Sequence, residues 1–218
     1  MTKKRFVAIL LCVTLVALAA IGATFAYLTD TKTVNNTFTM GNVAIKLDET
    51  NVNDPTGDRV TSNAYNVYPG AVVTKDPIVH NTGKNAAYIR ATVNVSNWMN
   101  LCAAYYPESG FEFTKPGYEK SLELLVGTLG EGWSVVGVTR GDTFTIGQFD
   151  AKFILKYDGK LAAGADTTAM FQKVIIPAGI DNASADAGSF SSVKVVAQAI
   201  QADGFDTWED AFAAYDAK

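Results

Sequence analysis

The clearest pattern in the chain is a strict alternation over residues 87–95. Ala87, Ile89, Ala91, Val93 and Val95 fall on one face, and Tyr88, Arg90, Thr92 and Asn94 on the other. A period of two with polar residues on one side predicts a half-buried strand. Similar signals mark strands at 71–81, 133–138, 143–148, 151–157 and 167–176, the last ending at Pro177. Residues 193–200 carry β-branched and small residues on both faces, the pattern of a central strand. Turns are predicted at Tyr68-Pro69-Gly70, at 81–85, where Asn and Gly tolerate positive φ, and at Asp158-Gly159. Between residues 38 and 47 the apolar positions change parity. Phe38 and Met40 share one face, Val43, Ile45 and Leu47 the other, and Gly41 sits where a bulge can absorb the extra residue.

Helix signals are few. Residues 119–126 read as one short helix. Thr207 to Asp210 resembles an N-cap box with Asp in place of Glu, and opens a helix over 207–217. On that helix Trp208, Phe212 and Tyr215 make one apolar stripe. Residues 98–120 read as a long irregular connection rich in rings (Trp98, Tyr105, Tyr106, Phe111, Phe113, Tyr118) that plug the end of a sandwich or form a contact surface. Many short strands, regular turns and scarce helix predict an all-β fold, an antiparallel jelly-roll-like or Ig-like β-sandwich with a short C-terminal helix.

The first forty residues follow a different logic. Lys3, Lys4 and Arg5 precede a charge-free run of 24 residues, Phe6 to Thr29. A basic head and an apolar stretch form a secretory signal helix. At roughly 1.5 Å per residue the run would also be long enough, about 36 Å, for an uncleaved anchor. Thr24 and Ala26 place small side chains at −3 and −1 of a cut between Ala26 and Tyr27, and a cut after Ala17-Leu18-Ala19 also fits. Cys12 lies too early in the run for a lipid-attachment box. The expected organisation is a signal over 1–26, an N-terminal strand candidate over 27–40 and a β-sandwich with its C-terminal helix over 41–218. The membrane is a partner only before cleavage.

Charge and cysteine content narrow the function classes. The chain has 18 Lys+Arg against 22 Asp+Glu. Removing the three cations of the signal leaves 15 against 22, near −7, which disfavours nucleic acid and anionic membrane as partners. Cys102 is the one cysteine after the signal, so no disulfide forms within the mature chain. His80 is the single histidine, so neither a paired-histidine zinc helix nor a set of Cys and His ligands can be assembled. No Gly-x-Ser-x-Gly elbow and no phosphate-cradling loop occurs. The acidic loop 48–58 does not match the spacing of a helix–loop–helix calcium site and reads as solvated. No catalytic residue, metal or cofactor is expected. Three Asn-x-Ser/Thr matches, at Asn35, Asn94 and Asn182, are no more than this composition gives by chance.

Three stretches carry a resemblance. Ala23-Thr24-Phe25-Ala26-Tyr27-Leu28-Thr29-Asp30-Thr31, continuing into Asn36-Thr37-Phe38-Thr39-Met40-Gly41-Asn42-Val43, resembles the signal and early mature region of proteins cut by the signal peptidase SipW. Pro69-Gly70, Lys75-Asp76-Pro77-Ile78-Val79, Asn81-Thr82-Gly83 and Ala87-Tyr88-Ile89-Arg90 resemble the core signature of the TasA/camelysin family. Residues 201–212 are similar to the C-terminal helix of such exported proteins. The resemblance implies a Gram-positive protein of the cell surface or extracellular matrix, self-associating into biofilm fibres alone or with other matrix components.

In that family a freed N-terminal segment adds as a strand to the next subunit. Here the donor would be Thr33, Val34, Asn35, Asn36, Thr37, Phe38 and Met40, with Val34, Asn36 and Phe38 facing one way. The same segment could instead be the first strand of its own domain. A monomeric surface adhesin is the alternative function. Camelysin-like members are classed as metalloproteases, an activity for which this sequence offers no zinc-ligand set.

Overall fold

The computed structural model describes residues 42–65, 67–98, 101, 121–145, 148–179 and 192–217. Within them the protein is an antiparallel β-sandwich. One layer is a four-stranded sheet in the order β5 (Trp133–Thr145), β6 (Gln148–Tyr157), β4 (Ala87–Val95), β8 (Val193–Gln201). The other layer contains two strand pairs, β1 (Ile45–Asp48) with β3 (Ile78–Asn81), and β2 (Val72–Thr74) with β7 (Lys173–Ile175). Every one of these pairings is antiparallel. A short helix, α1 (Ser121–Val126), lies beside β7, and α2 (Trp208–Asp216) lies beside β4 and β8.

The alternation of β4 sets the core. Its five odd-numbered residues are fully buried, and Val93 and Ala91 pair with Phe153 and Leu155 of β6, themselves buried. Trp98 meets Phe153 edge-on at 5.1 Å between ring centroids. Val43, Ile45 and Leu47 pack against this core, the parity expected of them. On the outer face Tyr88 is buried by α2, together with Phe212, Ala211 and Ala202.

Arg90, beside Tyr88, stacks over the Phe212 ring at 4.4 Å. Its guanidinium also makes a two-pronged bond to Asp216, at 2.6 and 2.8 Å. Thr207 caps α2, accepting from the Asp210 N–H at 3.1 Å. The aromatic stripe is real at Trp208 and Phe212, 4.6 Å apart, but Tyr215 is half exposed.

Several expectations need correction. The strand expected over 71–81 is two strands in two different pairs. It breaks at Asp76-Pro77, where Pro77 has no N–H to donate and the Asp76 carboxylate turns to Thr50 and Arg59. The strands expected at 133–138 and 143–148 are one strand, β5, whose register slips between Val135 and Gly137 and again between Arg140 and Phe144. Gln148 already belongs to β6. Of 167–176 only Lys173–Ile175 is strand, because Met170 and Phe171 are both buried and leave no alternation. Residues 193–200 form an edge: among the described residues β8 pairs with β4 alone.

Two turns show different uses of glycine. Gly70, at φ +81°, supplies the positive φ that the Pro69-Gly70 turn requires. Gly83 does not adopt positive φ. A Cβ there would lie 2.5 Å from the Asn42 carbonyl oxygen, so this turn needs glycine for close approach. The buried Asn81 side chain holds the turn, donating to the Asn85, Leu161 and Ala162 carbonyls and accepting from the Gly83 N–H.

Candidate functional site

The titratable groups of the described residues converge where β1 and β3 meet the loop after β1. Glu49 and Val60 exchange backbone hydrogen bonds, both 2.8 Å, and so close the loop between them. Its tip, residues 53–58, is exposed, as an acidic loop should be. Its base is not: Asp48 and Glu49 are buried.

Asp48 is the hub. Its carboxylate takes Arg59 Nε at 2.6 Å, His80 Nε2 at 2.9 Å and Lys46 Nζ at 2.9 Å. Burial alone would raise its pKa, but these three donors outweigh it and hold the carboxyl at about 2. Arg59 also reaches Asp76 at 3.0 Å, and Asp76 accepts from the Thr50 N–H and hydroxyl, both 2.7 Å. Burial opposes ionisation of Asp76 too, and the Thr50 and Arg59 hydrogen bonds overcome it.

His80 lies in β3 opposite Lys46. Its Nε2 faces Asp48 and its Nδ1 faces Asp166 at 2.7 Å. Carboxylate oxygens accept, so an acceptor beside each ring nitrogen favours the imidazolium, which can donate from both. Burial works against that charge, and the two aspartates raise the pKa in spite of it.

Beside this cluster Glu49 receives Lys75 Nζ at 2.5 Å on one oxygen and Asn63 Nδ2 at 3.0 Å on the other. Tyr65 is near; burial, with the Glu49 charge, pushes its phenol up to about 12. These residues form one wall of a groove of about 660 Å³. Leu47, Val73 and Val174, with Val193 and Val195 of β8, add apolar lining.

Comparison with known proteins bears on residues 1–98, which match the family described as camelysin metallo-endopeptidase. Over this stretch the match supports the resemblance to the TasA/camelysin family. No curated protein and no solved structure matches the chain at a significant level. At family level this likeness supports a secreted surface or matrix protein.

The family's description implies a metal, and the donor set does not fit one. Both nitrogens of His80 are committed to carboxylates, and the Arg59 guanidinium occupies the oxygen of Asp48 that a cation would take. Among the described residues no three His, Cys, Asp or Glu side chains group to hold a metal ion.

The cleavage pair Ala26 and Tyr27, the donor residues Thr33, Val34, Asn35, Asn36, Thr37, Phe38 and Met40, and Cys102 lie outside the described residues. So do the rings from Tyr105 to Tyr118. Sequence reading missed Glu49, Arg59, Asn63, Lys75, Asp76 and Asp166 as members of one cluster. Their partners lie up to 86 residues apart, beyond any local pattern. The one available signal was Asp76 before Pro77, a charge at a strand break.

Proposed function

We propose that the chain is a structural subunit of extracellular matrix fibres, or an accessory to them. Cleavage between Ala26 and Tyr27 by a SipW-type signal peptidase frees the N-terminus. Residues 33–40 then add as a strand to the sheet of the next subunit, and a head-to-tail contact that does not close yields a filament.

The observation that carries this reading is the edge of β8. It is nine residues long, pairs with β4 alone among the described residues, and borders a groove to which Val73, Val174, Val193 and Val195 give an apolar part. A long edge strand is a template for another chain unless it is covered. The alternating Val34, Asn36 and Phe38 suit a partner that lays side chains toward Val193 and Val195 while its backbone pairs with β8. On this reading the role is assembly, and His80 serves as a clamp between two aspartates.

Sizing and electron microscopy of the chain beginning at Tyr27 test the proposal. Concentration-dependent filaments that vanish when residues 27–38 are deleted are expected. A monomer at every concentration, with or without those residues, would overturn it.

A further inference from the structure

The Glu49, Asn63 and Lys75 triad is not needed for the fibre reading, and its geometry is that of a reaction. The two oxygens of the Glu49 carboxylate hold two different nitrogens, the Lys75 amine at 2.5 Å and the Asn63 carboxamide at 3.0 Å. The Lys75 and Glu49 side chains are 11% and 6% exposed, so little water competes for either. The carboxamide is fixed at its other atoms as well. Its Oδ1 accepts from the Val52 N–H at 3.0 Å, and its Nδ2 donates a second bond to the Thr50 carbonyl at 2.8 Å. A nucleophile and an acyl group thus share one carboxylate, and the carbonyl oxygen of the acyl group already has a backbone donor.

We infer that Lys75 and Asn63 become joined by a side-chain amide bond, with Glu49 as the acid–base that makes it. The Lys75 ammonium passes a proton to Glu49 Oε2, and the freed Nζ attacks Cγ of Asn63. The carbonyl electron pair moves onto Oδ1, where the Val52 N–H stabilises the developing charge. The adduct then collapses: the carbonyl reforms, the Cγ–Nδ2 bond breaks as Glu49 returns its proton to the leaving nitrogen, and one of the two protons left on Nζ passes through Glu49 to the departing ammonia, which leaves as ammonium. One bond forms, Nζ–Cγ, and one breaks, Cγ–Nδ2. Nothing is oxidised or reduced. An alkylammonium and a primary amide become a secondary amide and an ammonium ion, and Glu49 ends as it began.

Holding both reactants on one carboxylate replaces a slow bimolecular aminolysis by an intramolecular one, where effective concentrations reach on the order of 10⁵ M or more. The product ties the loop after β1 to the end of β2 in a chain that cannot form an internal disulfide once its signal is removed.

Intact-mass measurement of the purified secreted chain decides the matter. The expected mass lies about 17 Da below that of its sequence, the mass of one ammonia. A digest should yield one branched peptide joining the segments of Asn63 and Lys75. The branched peptide separates this bond from a cyclic imide, which loses the same mass within a single segment. Lys75→Arg and Glu49→Gln should each restore the full mass. A wild-type chain at full mass, or the ammonia loss mapped to any other asparagine, would overturn the inference whether or not the variants fold.

Discussion

Arg59 Nε lies 2.6 Å from Asp48 Oδ1, and the same guanidinium reaches Asp76 at 3.0 Å. One side chain therefore ties the loop after β1 both to its own root and to the break between β2 and β3. It also donates to the backbone carbonyls of Asp48 and Asp76. Removing one partner of such a set leaves carboxylates desolvated and short of donors. Arg59→Ala should cost about 2–4 kcal/mol, lower than for a fully buried pair because the arginine is partly exposed. Urea unfolding would measure it, and limited proteolysis should show new cuts within 50–58.

The His80 clamp gives stability a defined dependence on pH. His80 has its pKa raised above 6.5 by Asp48 and Asp166 against the effect of burial. Its contribution is complete below that unfolded value and fades as pH rises through the folded one. Asp48 behaves oppositely: its pKa falls from 3.8 to about 2, so its contribution is complete above 3.8 and fades as pH drops toward 2. At neutral pH the Asp48 shift corresponds to about 2 kcal/mol. Stability should peak in the mildly acidic range between the two windows. His80→Gln should remove the decline on the alkaline side and shrink the acid limb without abolishing it, since Asp48 keeps Arg59 and Lys46, as read by urea titrations at stepped pH.

Helix α2 is held by a few contacts that can be removed singly. Phe212 is buried against Tyr88 and lies under Arg90. Phe212→Ala should cost about 3–5 kcal/mol. Thr207→Ala removes only the cap and should cost about 1 kcal/mol. Thermal unfolding of both variants, followed by tryptophan fluorescence because Trp208 sits in this contact, gives the ranking.

Asn81 bonds three carbonyls and one N–H from a buried position. Asn81→Leu keeps the branched shape and strands these groups, at an expected cost of about 2–4 kcal/mol. Gly83→Ala should also destabilise, since its Cβ would meet backbone and not a yielding side chain. Chemical denaturation of the two variants and of their combination would show whether the costs overlap, as residues of one turn should.

What the sequence revealed follows from the range of each interaction. Strand β4 and the cap of α2 are written in neighbouring residues, so alternation and the Thr207 to Asp210 spacing found them. The β-branched and small residues on both faces of Val193–Ile200 predict a central strand, where β8 is an edge. Small and β-branched residues satisfy an edge flanked by a groove equally well, so composition cannot separate the two. The strand break at Asp76-Pro77 was legible in the proline but was overridden by the apolar run around it. The polar cluster was out of reach, because Asp48, Arg59, His80 and Asp166 meet only once β1, β3 and their loops have folded.

The central claim is that one subunit's N-terminal segment completes the next subunit's sheet, and dosing assembly with a donorless chain tests it most directly. A chain lacking residues 27–38 keeps the β8 edge and can accept a donor, but has none to offer, so it should cap growing filaments. Electron microscopy of the chain beginning at Tyr27, mixed with increasing amounts of the truncated chain, should show filament length falling with dose. Filaments of unchanged length at every ratio would contradict assembly through this segment.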